Sequence, residues 1–151
     1  MSRFRRGAAL SALAVVLGVS IAAQRSPAPV RMVVYKSPTC GCCASWVTYM
    51  AAHGFATTVT DMADVTPIKT QHGVPSALSS CHTALVGGYV IEGHVPAEDV
   101  RRLLREKPAI AGLAAPGMPA GSPGMDVPNS PPFDVIAFDA KGGTRVYATH
   151  K

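Results

Sequence analysis

Three of the chain's four cysteines fall within four residues, Cys40-Gly41-Cys42-Cys43, and the fourth, Cys81, stands far downstream beside His82. Thiolates at this density support two kinds of chemistry, dithiol–disulfide exchange and the binding of soft metal ions. Cys40 and Cys43 have the C-x-x-C spacing of a redox pair, but Cys42 is a third thiol that such a pair does not need and that competes with it. Together with Cys81, the three suit a cluster in which sulfur bridges several soft cations. Copper(I) is the best match, because thiolate and thioether ligands select it. Structural zinc normally uses two separated ligand pairs, which this chain lacks. A two-disulfide framework is disfavoured, since adjacent Cys42 and Cys43 close only a strained ring. Three readings therefore stand: a copper cluster, a dithiol redox enzyme, and a structural disulfide or zinc site.

Further donors accompany the thiols. His82 either faces the cluster or bonds locally at the head of a strand, and His94, just before Pro96, either lies near the cysteine turn or serves its own loop. Met118 and Met125 sit seven apart among glycines and prolines, where no helical stripe explains them. Their thioethers are soft ligands, a lid, or plugs for apolar gaps. Met50 fits an apolar helix face, and Met32 and Met62 have similarly ordinary explanations. His53, His72 and His150 stand at element ends and read as solvated. Glu92 and Asp99 offer no paired-carboxylate geometry.

The elements that must position these groups are legible. Val30 to Tyr35 reads as a buried strand, Ser37 to Gly41 as a turn, and Cys42 to His53 as a helix stopped by Gly54. This sets Cys40 and Cys43 at a helix start, where exposed N–H groups and the dipole favour a thiolate. Phe55 to Asp61 alternates as a second strand. Thr66 and Pro67 open a short helix, with Thr66 as cap, that ends at Gly73. Gly87-Gly88 between two apolar runs predicts a hairpin of Thr83–Val86 with Tyr89–Glu92. Pro96 opens a helix with Glu98 and Asp99 in its first turn and Val100, Leu103 and Leu104 on its apolar face. From Ala109 to Pro132 the texture changes, with no strand or helix assigned and Pro116 to Met125 unable to form a regular element, and Phe133–Phe138 with Thr144–Thr149 reads as a terminal hairpin. The order β-α-β-(short α)-β-β-α is an α/β, thioredoxin-like plan (βαβ plus ββα) with a C-terminal Gly/Pro/Met loop and β-hairpin. In such a plan chemistry sits beyond the carboxyl ends of strands, where Cys40 falls. Proteins of that plan usually carry a cis-proline before the third strand, but here Ser80-Cys81-His82-Thr83 leads into it, which leaves room at the dithiol for a metal.

The first residues read as a targeting segment. Arg3, Arg5 and Arg6 precede an apolar run from Ala8 that ends at the small residues Ala22 and Ala23, the pattern of a signal peptide over residues 1–23. A flexible leader (24–29) and one domain (30–151) follow. Those arginines account for much of the formal charge of +5. No basic stretch carries interleaved aromatics, so nucleic acid is not an expected partner. Export implies the periplasm, no membrane attachment after cleavage, and an oxidising space in which unpaired thiols become disulfides unless a metal or a reductant holds them.

Four stretches carry a family resemblance: Tyr35-Lys36-Ser37-Pro38-Thr39-Cys40-Gly41-Cys42-Cys43, Ser80-Cys81-His82-Thr83-Ala84, Ile91-Glu92-Gly93-His94-Val95-Pro96-Ala97, and the segment from Pro116 to Met125. In them the chain resembles the CopG-type periplasmic copper-resistance proteins. The resemblance implies a thioredoxin-like fold and a cysteine-bridged multinuclear copper site, with Cys40, Cys42, Cys43 and Cys81 as ligands. It implies a role in copper resistance through Cu(I)/Cu(II) chemistry, and places His82, His94, Met118 and Met125 in the family's motifs. Expected partners are copper ions, more than one per chain, and other periplasmic copper-handling proteins. The rivals are a thiol–disulfide oxidoreductase using Cys40 and Cys43, and a chaperone that passes Cu(I) on without redox turnover.

Overall fold

Met32, Val34 and Lys36 alternate with less buried neighbours along β1 (Val30–Lys36), as a strand packed on one face requires. In the computed structural model, which describes residues 28–151, this strand lies next to the edge of a mixed α/β sheet. The targeting segment of residues 1–23 and most of the leader lie outside the described residues. The remaining elements are α1 (Gly41–Ala52), β2 (Phe55–Asp61), α2 (Thr66–Gln71), β3 (His82–Val86), β4 (Tyr89–Gly93), α3 (Ala97–Glu106), β5 (Gly112–Ala115), β6 (Phe133–Phe138) and β7 (Thr144–His150).

The seven strands run in the order β2-β1-β3-β4-β5-β6-β7. β1 pairs in parallel with β2 and antiparallel with β3, and β3 forms the antiparallel hairpin with β4. Gly87 and Gly88 turn that hairpin with φ of +56° and +86°, a two-residue geometry that glycine adopts without steric cost. The sheet buries apolar side chains on both faces. Ile91, Leu113 and Ala137 join Trp46 and Met50 of α1 and Val100 and Leu103 of α3 in the larger core. Their strand neighbours Val90, Ala114 and Phe138 point the other way, onto Leu78 and Val74. Met32 and Met50 are both core residues, as their patterns predict.

Two expectations need correction here. Thr66 is not the cap of α2. That place falls to Val65, and the Asp64 carboxylate accepts the Thr66 N–H instead at 2.9 Å. The stretch after Pro108 is also not wholly irregular, because Gly112–Ala115 forms β5, parallel to β4 and antiparallel to β6. All four of its residues are buried, so the strand shows no alternation, and a four-residue apolar run carries no periodic signal. Pro116 to Met125 does lack regular structure, as its glycines and prolines demand.

Register explains why the chemistry collects at one end of the sheet. Lys36, the last residue of β1, pairs with His82, the first of β3. Thr83 pairs with Glu92, and Gly93 at the end of β4 pairs with Ala115 at the end of β5. The cysteine turn, Cys81-His82, His94 and the methionine loop all leave the sheet at this edge.

Candidate metal centre

Cys40 is the N-cap of α1, in extended conformation (φ −79°, ψ 98°), and Cys42 and Cys43 occupy the first turn. That turn has no acidic residue and no side-chain cap, so its N–H groups are left to act on the thiols. Cys40 and Cys43 are joined as a disulfide, and Cys42 and Cys81 are free. The Cys42 sulfur lies 3.5 Å from that of Cys40. The sulfurs of Cys40, Cys42, Cys43 and Cys81 all lie within 4.8 Å of one another. This places the one distant cysteine of the sequence among the clustered three.

Cys81 also belongs to a second group. Its sulfur is 3.1 Å from His94 Nε2 and 3.3 Å from His82 Nδ1, and all three ligand atoms lie within 4.8 Å of one another. Both rings thus reach Cys81, His82 as its immediate chain neighbour and His94 from across the fold. Both imidazoles are buried; that of His82 packs at a tilt against Trp46, ring centroids 4.4 Å apart, and meets His94 edge-on at 5.1 Å. The Pro123 carbonyl, 2.8 Å from His94 Nδ1, can only accept, so Nδ1 carries the proton and Nε2 presents a lone pair to Cys81. His82 Nε2 is buried with no hydrogen-bond partner.

The electrostatics favour neutral rings and a protonated Cys81. Burial pushes the Cys81 thiol up to about 11, with the neighbouring Cys42 side chain adding to the effect. Burial holds His82 well below the ordinary imidazole range, reinforced by the charges of His94 and Lys69. Burial also lowers His94, against the opposing effect of its bond to Pro123. Neutral imidazoles are in the form that binds a metal, and a metal held at Cys81 would have to displace its proton.

Behind Cys81 lies a buried ion pair. Lys69 Nζ meets Glu92 Oε1 at 2.5 Å, and Glu92 is wholly buried. The same carboxylate accepts the Ser80 N–H at 2.6 Å and the Thr83 hydroxyl at 2.7 Å. One buried carboxylate thus braces both sides of Cys81-His82. Gly93 permits that approach, since at φ +70° a Cβ there would strike the Ser80 side chain and stand 2.9 Å from the Ala115 carbonyl. The sequence expectation found no paired carboxylate at Glu92. The role it missed is the buried ion pair, whose partner Lys69 gives no local sign of burial. On the other side, Lys36 Nζ bonds Asp61 at 2.8 Å and the Ser37 carbonyl at 3.1 Å, fixing the start of the cysteine turn.

The methionine loop is docked onto α1. At Gly124, with φ +85°, a Cβ would stand 2.7 Å from the Trp46 nitrogen and 2.9 Å from the Cys42 carbonyl oxygen. Ser122, fully buried, accepts the N–H groups of Met125 and Asp126 at 2.9 and 3.1 Å through its carbonyl. Met125 is half-buried directly after this contact, whereas Met118 is 41% exposed. Of the histidines read as solvated, His150 is not. Its Nε2 lies 2.6 Å from the buried Asp99 carboxylate and its ring stacks on Phe133, because β7 runs back alongside α3. His53 is partly buried against Tyr49, and His72 follows α2.

A family model described as "Protein of unknown function, DUF411" matches residues 78–125, the span from Cys81 through the methionine loop. No match was found among curated proteins. Among solved structures, "Copper resistance protein copG- Form 1" is 38% identical, with a TM-score of 0.76 over 81% of this chain and 98% of the other. "Copper resistance protein copG- Form 2" is likewise 38% identical, with a TM-score of 0.77 over 82% and 99%. At that identity over nearly the whole length of both solved chains, this chain belongs to the CopG copper-resistance protein family.

Proposed function

We propose that the chain is an exported copper-resistance protein that binds Cu(I) in a cysteine-bridged multinuclear cluster held by Cys40, Cys42, Cys43 and Cys81. The observation that carries this is the gathering of four sulfurs within 4.8 Å. Bridging thiolates at that spacing hold several soft ions and exclude hard ones. His82 and His94 border the thiols as further donors, and Met118 and Met125, on the loop seated against α1, are offered as thioether ligands. Supporting the wider reading are the copper-resistance titles of the two solved relatives and the signal-peptide pattern of residues 1–23. No helix among the described residues is long and apolar enough to cross a membrane. The sheet order β2-β1-β3-β4, with its parallel βαβ unit and antiparallel hairpin, supports assigning the first four strands and their helices to a thioredoxin-like plan.

The test is anaerobic titration of the fully reduced protein with Cu(I) against a competing chelator, counting copper and protected thiols together. More than one tightly held copper with all four thiols protected is the expected result. Cys42→Ser should lower the stoichiometry, and unchanged copper content in that variant would argue against a shared cluster. Cycling between Cu(I) and Cu(II) belongs to the same reading and is checked by following copper valence during reoxidation.

The disulfide favours a second reading, a thiol–disulfide oxidoreductase working through Cys40 and Cys43. It predicts disulfide reductase activity that survives Cys42→Ser and needs no metal. Cys81, protonated at neutral pH, has no part in that chemistry.

A further inference from the structure

Cys81 belongs to both ligand groups at the edge of the sheet, one of four sulfurs and one of a sulfur with two imidazoles. We propose that these are two overlapping subsites, and that Cys81 Sγ, His82 Nδ1 and His94 Nε2 keep a single copper ion when Cys40 and Cys43 are joined. The inference rests on the reading that the centre takes copper, and adds a state in which the cluster cannot form.

The disulfide removes two of four thiolates and leaves the histidine side untouched. Both ring nitrogens that face Cys81 do so from fixed positions. His94 is held in its tautomer by the Pro123 carbonyl at 2.8 Å, and Gly124, the next residue, is seated on α1. An imidazole whose far N–H is given to a carbonyl while the near nitrogen faces a thiol has the outer partner that metal-bound histidines carry. The His82 ring packs against Trp46, and its backbone is held by strand pairing with Lys36. Two imidazoles and one thiolate form a set that copper accepts in both of its common valences.

The Cys40–Cys43 pair then sets copper capacity. A dithiol reductant closes its own disulfide, giving up two electrons and two protons. The Cys40–Cys43 bond breaks, each sulfur gains a hydrogen, and the four-sulfur subsite opens for the cluster. An oxidised dithiol runs the exchange in reverse, leaving the one-ion subsite.

The experiment titrates the disulfide form, with two free thiols counted beforehand, anaerobically with Cu(I) against a competing chelator. X-ray absorption then identifies the neighbours of the bound ion. One copper per chain with both nitrogen and sulfur neighbours is expected, weakened at least about tenfold in His82→Ala and in His94→Ala and unaffected in Cys42→Ser. No copper, or one with sulfur neighbours only that is lost in Cys42→Ser, overturns the proposal; the latter marks a Cys42–copper–Cys81 bridge. If a histidine variant does not fold, the absorption spectrum of the unaltered chain decides alone. The reduced protein separates the two failures. Several coppers when reduced and none as the disulfide sink this inference alone, whereas none in the reduced form sinks the cluster reading.

Discussion

The two halves of the centre are built in opposite ways. The α1 half is local: Cys40, Cys42 and Cys43 follow one another through a cap and a first turn, and two of them are joined as a disulfide. The β3–β4 half is assembled from distant segments, and every group in it is pinned. Glu92 braces Ser80 and Thr83 around Cys81-His82, and Pro123 orients His94. A local turn changes covalent state with little cost to the fold, whereas a buried polar network that is only partly satisfied costs more than an apolar core. The disulfide-bearing half can therefore change its covalent state, and the other half holds position.

Breaking the pinned half should have the largest effect. Glu92→Ala strands the Lys69 ammonium and the Ser80 N–H in the interior and should cost about 3–5 kcal/mol in urea unfolding. A loss under about 1 kcal/mol would show that the brace is not structural.

Acid should act on the same half. His82 and His94 are held below the imidazole range in the folded chain, so the unfolded chain binds protons first as pH falls. Their contribution is complete above the unfolded value of about 6.5 and is lost progressively below it, at up to about 1.4 kcal/mol per pH unit for each ring. Unfolding free energy of the metal-free protein should therefore drop between about pH 6.5 and 5, and His94→Gln should flatten the slope. A slope unchanged in that variant would remove His94 from the account.

Gly124→Ala tests the junction between the halves. Its Cβ meets the backbone of Trp46 and Cys42 at a positive φ, so the loop must lift from α1, at a cost of about 1–3 kcal/mol. Copper affinity should fall with it, and an unperturbed affinity would detach the loop from the site. The smallest effect is expected at the local half, where Asp61→Asn removes an ion pair whose carboxylate is 51% exposed and should cost no more than about 1 kcal/mol.

Much of this was legible from residue order. The cysteine turn announces itself because its thiols are neighbours, and the Gly87-Gly88 hairpin because two positive-φ residues between apolar runs admit few other geometries. Elsewhere the signals fail for identifiable reasons. β5 is too short and too evenly buried to show a period, yet its parallel pairing with β4 launches the methionine loop from the same edge as His94. Lys69 looks like an ordinary helix surface residue, since nothing near it in the chain reveals the carboxylate that neutralises it. His150 looks like a terminal histidine until β7 carries it to Asp99.

By itself, the sequence determined the donor types, the local turn that holds three of them, and the strands and helices on either side. These depend on interactions within a few residues, where backbone conformation follows from side-chain identity. Only the tertiary structure decided that Cys81, His82 and His94 converge on that turn, that the Pro123 carbonyl sets the His94 tautomer, and that Glu92 braces the second half. Those relations depend on strand register and on burial, which removes water as the competing partner and makes each buried polar group answer to another one far away in the chain.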